Sequence, residues 1–342
     1  MSKRIPYIDT VKGIGIILVI LGHTYQVPQL LHDVVYSFHM PLFFVVSGYV
    51  YNETKYNQYS IKDYLLKRTK DYLIPYYVFA FINLGLVIAW NTLLLHTSIS
   101  AGKIWSYFCG ILYCYSDMLH MPNCTPIWFL MSLFFASILF WLALKRLKNR
   151  VWVAALSSMA VGYTLSLVVD VPMPLKLDTV FMAMFFMYIG HLMKQQETLK
   201  FPIYTAVVGM VMGGIVGVHN PVGMNENEYG NLLLFLSSSL LSIYSIMLLC
   251  CKSFISHSRI LRLLGRHSIL IVGFNYFLRD AAVELYYLIP VVKRYPVTWF
   301  SSFTITLLLA ILLVWFWDVL QKKLSYLKKD CTPSGYLQER KT

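Results

Sequence analysis

Ten apolar runs divide this 342-residue sequence, and each approaches the roughly 20 residues that a helix needs to cross a bilayer. They cover 12–31, 33–51, 72–95, 127–144, 151–169, 177–193, 203–218, 231–251, 268–290 and 298–320. Hydrophobic residues make up 58% of the chain and charged residues 13%, whereas a soluble domain has about 45–50% and roughly 25%. The pattern predicts an all-α, polytopic membrane protein and excludes an ordinary soluble domain.

Positive charge alternates from loop to loop along these runs. With ten crossings, 24 of the 29 Lys and Arg residues fall on one side of the membrane, and Arg279 lies within a run. The other side holds only Lys103, Lys176, Lys293 and Arg294. Because cytoplasmic loops are enriched in Lys and Arg, we predict that both termini are cytoplasmic. The short runs 177–193 and 203–218 leave a count of eight open, but the charge alternation favours ten. Charge spread over every inner loop also argues against nucleic-acid binding.

The loops are short, so any chemistry has to take place within the bundle or at its openings. We predict one transmembrane domain over 1–320 and a basic cytoplasmic tail over 321–342. The longest outer segment, 96–126, has an aromatic stretch from Trp105 to Tyr115 that predicts a short helix at the outer interface. The segment also contains three cysteines, Cys109, Cys114 and Cys124. They leave two alternatives open, which are one disulfide or three unpaired thiols.

Two histidines fall inside the first two runs. His23 lies eight residues before the end of the first run, and His39 lies six residues after the start of the second. At 1.5 Å per residue these positions are about 12 Å and about 9 Å deep. In a tight antiparallel hairpin, both imidazoles are therefore predicted at similar depth towards the outer side. Imidazole suits general base catalysis near neutral pH, whereas a structural hydrogen bond explains a single buried histidine equally well. Two histidines at matched depth favour catalysis.

The residues after His39 predict a bent and closely packed helix. Pro41 has no backbone N–H, so it frees a backbone carbonyl and bends the helix. Ser47 and Gly48 are small and permit close approach of a neighbouring helix.

Charged side chains in the ninth run must be paired or solvated inside the bundle. Arg279 lies eleven residues past Ser268, near mid-membrane, and Asp280 and Glu284 follow it. We predict that Arg279 forms an ion pair with one of these carboxylates inside the bundle. A role of this pair in packing is favoured over a role in function.

A basic cluster, Lys67, Arg68 and Lys70, directly precedes the third run. Such a cluster at an inner opening can bind phosphates, because arginine makes bidentate contacts with them. From spacing alone, the enrichment of cytoplasmic loops in Lys and Arg explains this cluster better than phosphate binding does. Asp9 and Lys12 are three residues apart and form a local pair at the start of the first run.

The sequence RIPYIDTVKGIGIILVILGH at 4–23, followed by SFHMPLFFVVSGY at 37–49, resembles the opening of the membrane-bound acyltransferase 3 family. It is most similar to the branch that resembles fucose 4-O-acetylase. Weaker agreement recurs in KRTKDYLIPYY at 67–77, PIWFLMSLFF at 126–135, FMYIGHLMK at 186–194, EYGN at 228–231 and LGRHSILI at 264–271. The resemblance extends over essentially all ten runs, and residues 1–50 carry its most specific part.

This resemblance implies transfer of an acyl group, usually acetyl, from acyl-CoA to a hydroxyl of an envelope carbohydrate or lipid-linked glycan. It implies a bacterial inner membrane, acetyl-CoA as co-substrate and no metal. His23 and His39 would be the catalytic pair, with His23 the first choice as the base that deprotonates the acceptor hydroxyl and His39 orienting it or passing on the proton. The donor would be held at the cytoplasmic side by Arg68, Lys67, Lys70, Asp9 and Lys12. Weaker candidates for substrate binding are Trp128, Arg279, and Glu228 and Asn231 of the polar outer loop, where solvation is an equal explanation.

Three positions depart from the family pattern. Lys12 stands where many relatives have Arg, and Asp71 stands where a second basic residue is common. Asn275 stands where a further His is frequent, so either that His is dispensable or the acceptor differs.

The main alternative is a transporter or flippase of a polysaccharide precursor. Ten crossings, a proline-kinked helix and charged groups in the membrane suit that class. However, the His-Met-Pro hairpin occurs once, and no inverted repeat is visible. Dependence on CoA separates the two classes, since only the acyltransferase releases free thiol.

Overall fold

The computed structural model describes residues 5–93, 96–195, 199–290 and 294–330, with side chains to residue 324. The regular secondary structure there is helical, and an isolated bridge pairs Gly223 with Glu228. The α-helices are α1 (Pro6–Gly22), α2 (Gln29–Tyr36), α3 (His39–Tyr49), α4 (Glu53–Asn57), α5 (Ile61–Arg68), α6 (Ile74–Leu93), α7 (Ala101–Tyr113), α8 (Trp128–Leu147), α9 (Val151–Val168), α10 (Leu177–Gln195), α11 (Tyr204–Val218), α12 (Leu232–Lys252), α13 (Arg259–Arg266), α14 (Ser268–Leu288) and α15 (Trp299–Asp330). A π-helical turn, Thr69–Leu73, joins α5 to α6. Short 3₁₀ turns cover Thr125–Ile127, Lys148–Arg150, Pro174–Lys176 and Phe254–His257.

Six helical segments in the described residues are long and apolar enough to cross a membrane. They are Gln29–Tyr49, Ile61–Leu93, Thr125–Val168, Pro174–Gln195, Leu232–Lys252 and Trp299–Leu324. The 44-residue segment Thr125–Val168 contains two helices, α8 and α9, with Lys148 at a positive φ of 44° between them. The all-α class of the chain is confirmed, whereas the count of ten crossings and the side of each terminus stay predictions.

From the third run onward, each predicted run corresponds to one helix within a few residues, except at the end of the last. That helix, α15, continues through Asp330 into the predicted tail 321–342. Residues 331–342 of the tail lie outside the described residues, as do Lys293 and the first residue of the 4–23 motif. The boundary between a domain of 1–320 and a tail therefore stays a prediction.

The predicted bounds of the first run are wrong. Helix α1 begins at Pro6, six residues earlier than predicted, and ends at Gly22 rather than near residue 31. Proline is well tolerated in the first turn of a helix, which explains the early start. The early end fits Pro28, because the residue before a proline is disfavoured in the helical conformation.

The second run is not one helix but two, α2 and α3, with a break at Ser37 and Phe38. Pro41 falls in the first turn of α3, where its missing N–H costs no helical hydrogen bond. The carbonyl of Ser37, which a residue at position 41 would otherwise bond, accepts a hydrogen bond from Ser239 Oγ at 2.6 Å. The sequence correctly indicated a freed carbonyl, but the result is a break before the proline rather than a bend.

Helix α3 packs against α10 with almost no space between the backbones. A Cβ atom on Gly48 would overlap the carbonyl of Met187, and one on Gly190 would overlap the carbonyl of Val45. The close approach predicted for Gly48 is therefore observed, and Gly190 completes it on the partner helix. This contact fixes α3 along its length.

The outer segment 96–126 contains the predicted short helix as α7. The Ser100 side chain caps it by accepting a hydrogen bond from the Lys103 backbone N–H. The three cysteines of this segment are unpaired. Burial raises the pKa of Cys114 to about 11 and that of Cys124 to about 12, so both thiols stay protonated near neutral pH.

Two ends of the bundle carry the candidate residues. We call the end with His23 and His39 the histidine end. We call the opposite end the basic end. Helix α3 runs from His39 towards it, and Tyr51 follows this helix. The carbonyl of Tyr51 accepts a hydrogen bond from Lys194 at 3.1 Å. Arg68 lies beside the same tyrosine.

We expect Gly190→Ala to lower stability, because the added Cβ forces α3 and α10 apart. Overpacking of this kind typically costs about 1–3 kcal/mol. The measurement is the apparent melting temperature of the purified protein in detergent. Gly85→Ala is the matched control, since a Cβ there meets no atom within 4 Å and alanine favours a helix. Equal melting temperatures for Gly190→Ala and wild type would contradict this account of the contact.

Candidate active site

His23 and His39 lie side by side at the histidine end. Their ring centroids are 6.4 Å apart, and the ring planes are nearly perpendicular. His23 is the first residue after α1, and His39 is the first residue of α3. The predicted proximity is observed, but the reason given for it was wrong. Depths counted along two continuous helices do not apply, because both histidines sit at helix ends.

The hydrogen bond of His39 determines which of its nitrogens can accept a proton. Nδ1 lies 2.9 Å from the backbone carbonyl oxygen of Val35, and a carbonyl only accepts. In the neutral ring, Nδ1 therefore carries the proton and Nε2 has the free lone pair. The side chain is buried, so its orientation is fixed.

His23 is held by two tyrosine hydroxyls. Its Nδ1 lies 3.1 Å from the hydroxyl of Tyr36 and 3.3 Å from that of Tyr276. The Tyr36 ring also contacts His39, with centroids 4.9 Å apart, and so connects the two imidazoles. Among the described residues, Nε2 of neither His23 nor His39 has a hydrogen-bond partner.

Tyr36 and Tyr276 were missed by the sequence analysis. Tyr36 stacks on His32 at 3.8 Å, and Nδ1 of His32 lies 3.3 Å from Asp33. A helical spacing of four and then three residues connects His32, Tyr36 and His39. This spacing is a signal in the sequence from which Tyr36 could have been predicted as a neighbour of the histidines. Tyr276 lies directly after Asn275 and three residues before Arg279, two of the residues that the sequence analysis named in the ninth run.

Both histidines line a cavity with about 620 Å³ of empty space, its open mouth included. Its walls come from α1, α2, α3, α8 and α14. Trp128, predicted to bind substrate, is one of the lining residues. The outer loop contributes Met224, Asn225 and Glu226.

The two residues predicted from the outer loop lie elsewhere. Asn231 caps α12, since its Oδ1 accepts hydrogen bonds from the N–H groups of Leu233 and Leu234. Glu228 is exposed and does not line the cavity. Sequence alone could not distinguish these side chains from Asn225 and Glu226, which do line it.

A polar groove continues outward from this cavity and shares Asn225 and Glu226 with it. Its other acidic lining residues are Asp117, Asp170, Asp178 and Glu228. Lys176 also lines the groove, and its ammonium group donates to the carbonyl of Asn225 at 2.6 Å. Glu228 thus lies beside the cavity rather than in it. Carboxylates and amides of this kind are hydrogen-bond partners for hydroxyl-rich ligands.

Arg279 forms the predicted ion pair with Asp280, at 2.8 Å. Its guanidinium group lies 4.3 Å from the ring centres of both Tyr25 and Tyr276. The hydroxyl of Tyr25 donates to Asp280 at 3.0 Å and closes the cluster. Arg279 does not line the histidine cavity, but it packs on the tyrosine that contacts His23.

At the basic end, four tyrosine rings surround Arg68. Its guanidinium carbon lies 4.6 Å from the ring centre of Tyr56, 4.8 Å from Tyr64, 5.7 Å from Tyr72 and 6.0 Å from Tyr51. Nη1 lies 3.5 Å from Asp71, yet buried Nε has no hydrogen-bond partner. The π-helical turn begins at the next residue, and such turns are frequent at functional sites.

The other residues predicted to hold the donor are not gathered around Arg68. Lys67 pairs with Asp71, and Lys70 is exposed. Asp9 lines a separate pocket on α13, together with Arg259, Arg262 and Arg266. Lys12 is half-buried on α1.

Helix α3 connects the two ends. Its 11 residues span about 16 Å at 1.5 Å per residue, from His39 to Tyr49. The hydroxyl of Tyr49 bonds that of Tyr7, and Tyr51 follows beside Arg68.

Comparison with known proteins identifies the family. The family described as an acyltransferase domain, acyltransferase 3, matches residues 5–316 and so covers nearly the whole chain. No curated protein and no solved structure matches the chain. The family and the apolar helices together indicate a multi-pass membrane protein, and the branch resembling fucose 4-O-acetylase stays a prediction. The chain belongs to the acyltransferase 3 family.

Proposed function

We propose that this protein is an O-acyltransferase that moves an acyl group, acetyl as first choice, from acyl-CoA to a hydroxyl of an envelope carbohydrate or lipid-linked glycan. The observation that carries the proposal is the pair of imidazoles in one cavity, with Nε2 of His39 free to accept a proton. Family membership supports an acyltransferase rather than a transporter. We place the protein in a bacterial inner membrane, with both termini and the basic end cytoplasmic.

The donor enters at the basic end in this proposal. Arg68 holds phosphate oxygens, for which its partnerless Nε is available. The pantetheine arm follows the direction of α3, and the thioester reaches the histidines. The separation of the two ends by about one 11-residue helix suits a long, thin donor.

The geometry favours His39 as the base, although the sequence analysis placed His23 first. Nε2 of His39 takes the proton of the acceptor hydroxyl, and the oxygen attacks the thioester carbonyl. The carbon–sulfur bond breaks, and the sulfur leaves with the proton that His39 releases. His23, oriented by Tyr36 and Tyr276, positions the acceptor. A covalent acyl-histidine relay is the alternative within the same class.

The acceptor enters from the opposite side, through the polar groove that leads to the cavity. The groove presents carboxylate and amide groups suited to sugar hydroxyls, and it shares Asn225 and Glu226 with the cavity. Trp128 adds an aromatic surface inside.

We expect His39→Ala and His23→Ala each to lower turnover about 10²-fold or more, as loss of general base catalysis typically does. The assay is acceptor-dependent thiol release from acetyl-CoA by the purified protein, with a crude envelope glycolipid fraction.

His219→Ala is the matched control for both histidine variants. Nδ1 of His219 lies 2.7 Å from the carbonyl oxygen four residues earlier, the contact that His39 also makes, but His219 is exposed and outside the cavity. Wild-type turnover in either cavity variant would contradict the mechanism.

Tyr276→Phe removes one hydroxyl from His23. We expect kcat to fall roughly 2- to 10-fold with little change in the KM for acetyl-CoA, since one hydrogen bond contributes about 0.5–1.5 kcal/mol. Steady-state kinetics checks this, with Tyr286→Phe on the same helix as control. A raised donor KM with unchanged kcat would argue against a positioning role.

Arg68→Lys keeps the charge but loses the planar fork that matches phosphate. We expect the KM for acetyl-CoA to rise about tenfold, because roughly one charge-assisted hydrogen bond is lost. The change in kcat should be smaller. Lys62→Gln, an exposed change on the same helix, should leave both constants as in wild type. An unchanged donor KM in Arg68→Lys would remove Arg68 from the donor site.

A further inference from the structure

A second groove opens at the basic end, between α4, α8, α9 and α10, and no step proposed so far uses it. We call it the inner groove. It has about 1130 Å³ of empty space, its open mouth included. Six of its lining residues matter here: Asn57, Lys148, Asn149, Trp152, His191 and Gln195.

The inner groove adjoins the tyrosine cage of Arg68. The ring of Tyr51 is 6.2 Å from the ring of His191, which lines the groove, and 6.0 Å from the guanidinium carbon of Arg68. These three neighbours each contain a buried polar atom without a hydrogen-bond partner, namely Nδ1 of His191, Oη of Tyr51 and Nε of Arg68. Buried polar groups are normally satisfied, so these three atoms have hydrogen-bonding capacity for a polar ligand or for water.

The chemistry of the groove matches a purine nucleotide. Trp152 is 52% exposed and lines the groove, so its indole can stack on a base. The side-chain amides of Asn57, Asn149 and Gln195 offer both donors and acceptors for the edge of a base. Lys148 adds a positive charge for a phosphate.

Among the described lining residues of the groove, Glu53 is the one carboxylate, and it lies 3.4 Å from Nε2 of His191. The imidazole is thus its nearest charged or polar partner in the groove.

We propose that the inner groove binds the adenosine 3′,5′-bisphosphate end of acyl-CoA. The base stacks on Trp152, the 3′-phosphate faces Lys148, and the diphosphate extends past Tyr51 to Arg68. This inference rests on the proposed function, since it assumes that acyl-CoA is the donor.

A competing site exists at the same end of the bundle. Arg259, Arg262 and Arg266 on α13 line a pocket with Asp9. Three arginines would attract phosphates more strongly than Lys148 does. However, the other lining residues, Pro6 and Leu263, provide neither an aromatic ring nor an amide to recognise a base.

The test measures binding of CoA and of adenosine 3′,5′-bisphosphate to the full-length protein in lipid nanodiscs by calorimetry. We expect the bisphosphate to compete with CoA. Loss of one base-stacking contact should make Trp152→Ala bind both about tenfold more weakly, and loss of one charge should make Lys148→Gln about threefold weaker.

Trp315→Ala is the matched control, because Trp315 is 59% exposed and lies on α15, away from the groove. It should bind both ligands as wild type does, as should Arg262→Gln. Melting temperatures of all variants verify that they fold.

The outcomes separate the two proposals. If CoA binds wild type, but Trp152→Ala and Lys148→Gln keep its affinity, the inner-groove site is overturned while the acyltransferase stands. Loss of affinity only in Arg262→Gln would move the nucleotide to the α13 pocket. If wild type neither binds CoA nor releases thiol from acetyl-CoA, both proposals fall.

Discussion

The arrangement of the histidine end depends on the helix break between α2 and α3. In an apolar environment every backbone carbonyl freed by such a break needs a new partner. Ser239 satisfies the carbonyl of Ser37, and the carbonyl of Val35 accepts from the Phe38 N–H and also lies 2.9 Å from Nδ1 of His39. The break therefore both places His39 at the cavity and orients it, because the contact with the Val35 carbonyl fixes which nitrogen is free. A continuous helix through this segment would offer neither the position nor the acceptor.

The close contact of α3 with α10 makes this arrangement rigid. Glycine on each helix lets one backbone rest on the other, at Gly48 and at Gly190. One end of α3 then holds His39, and the chain just beyond its other end forms part of the Arg68 cage. A displacement of α3 would move both ends, so in the proposed mechanism donor binding and chemistry depend on one structural element.

Sequence periodicity predicted the all-α class and most helix positions, because apolar runs of membrane length leave few alternatives. It failed in the first two runs, where Pro28 and Pro41 interrupt apolar sequence without changing its hydropathy. The pairing of His23 with His39 was predicted, but Tyr36 and Tyr276 were not, since tyrosine is common throughout this chain. The sequence could not show that Asn225 rather than Asn231 of the outer loop lines the cavity. That difference depends on how the loop folds over the cavity and not on residue type.

Arg279 is a half-buried cation near His23, and Asp280 and Tyr276 moderate its effect on that imidazole. A bare cation close to an imidazole would disfavour proton transfer to that ring, and the effect is strong where the dielectric constant is low. Here Asp280 pairs with Arg279, and the ring of Tyr276 separates the guanidinium group from His23. The contacts that reach His23 are hydroxyls, which can donate or accept as its protonation changes. Hydroxyl partners that can both donate and accept suit the cycle of proton uptake and release in the proposed mechanism.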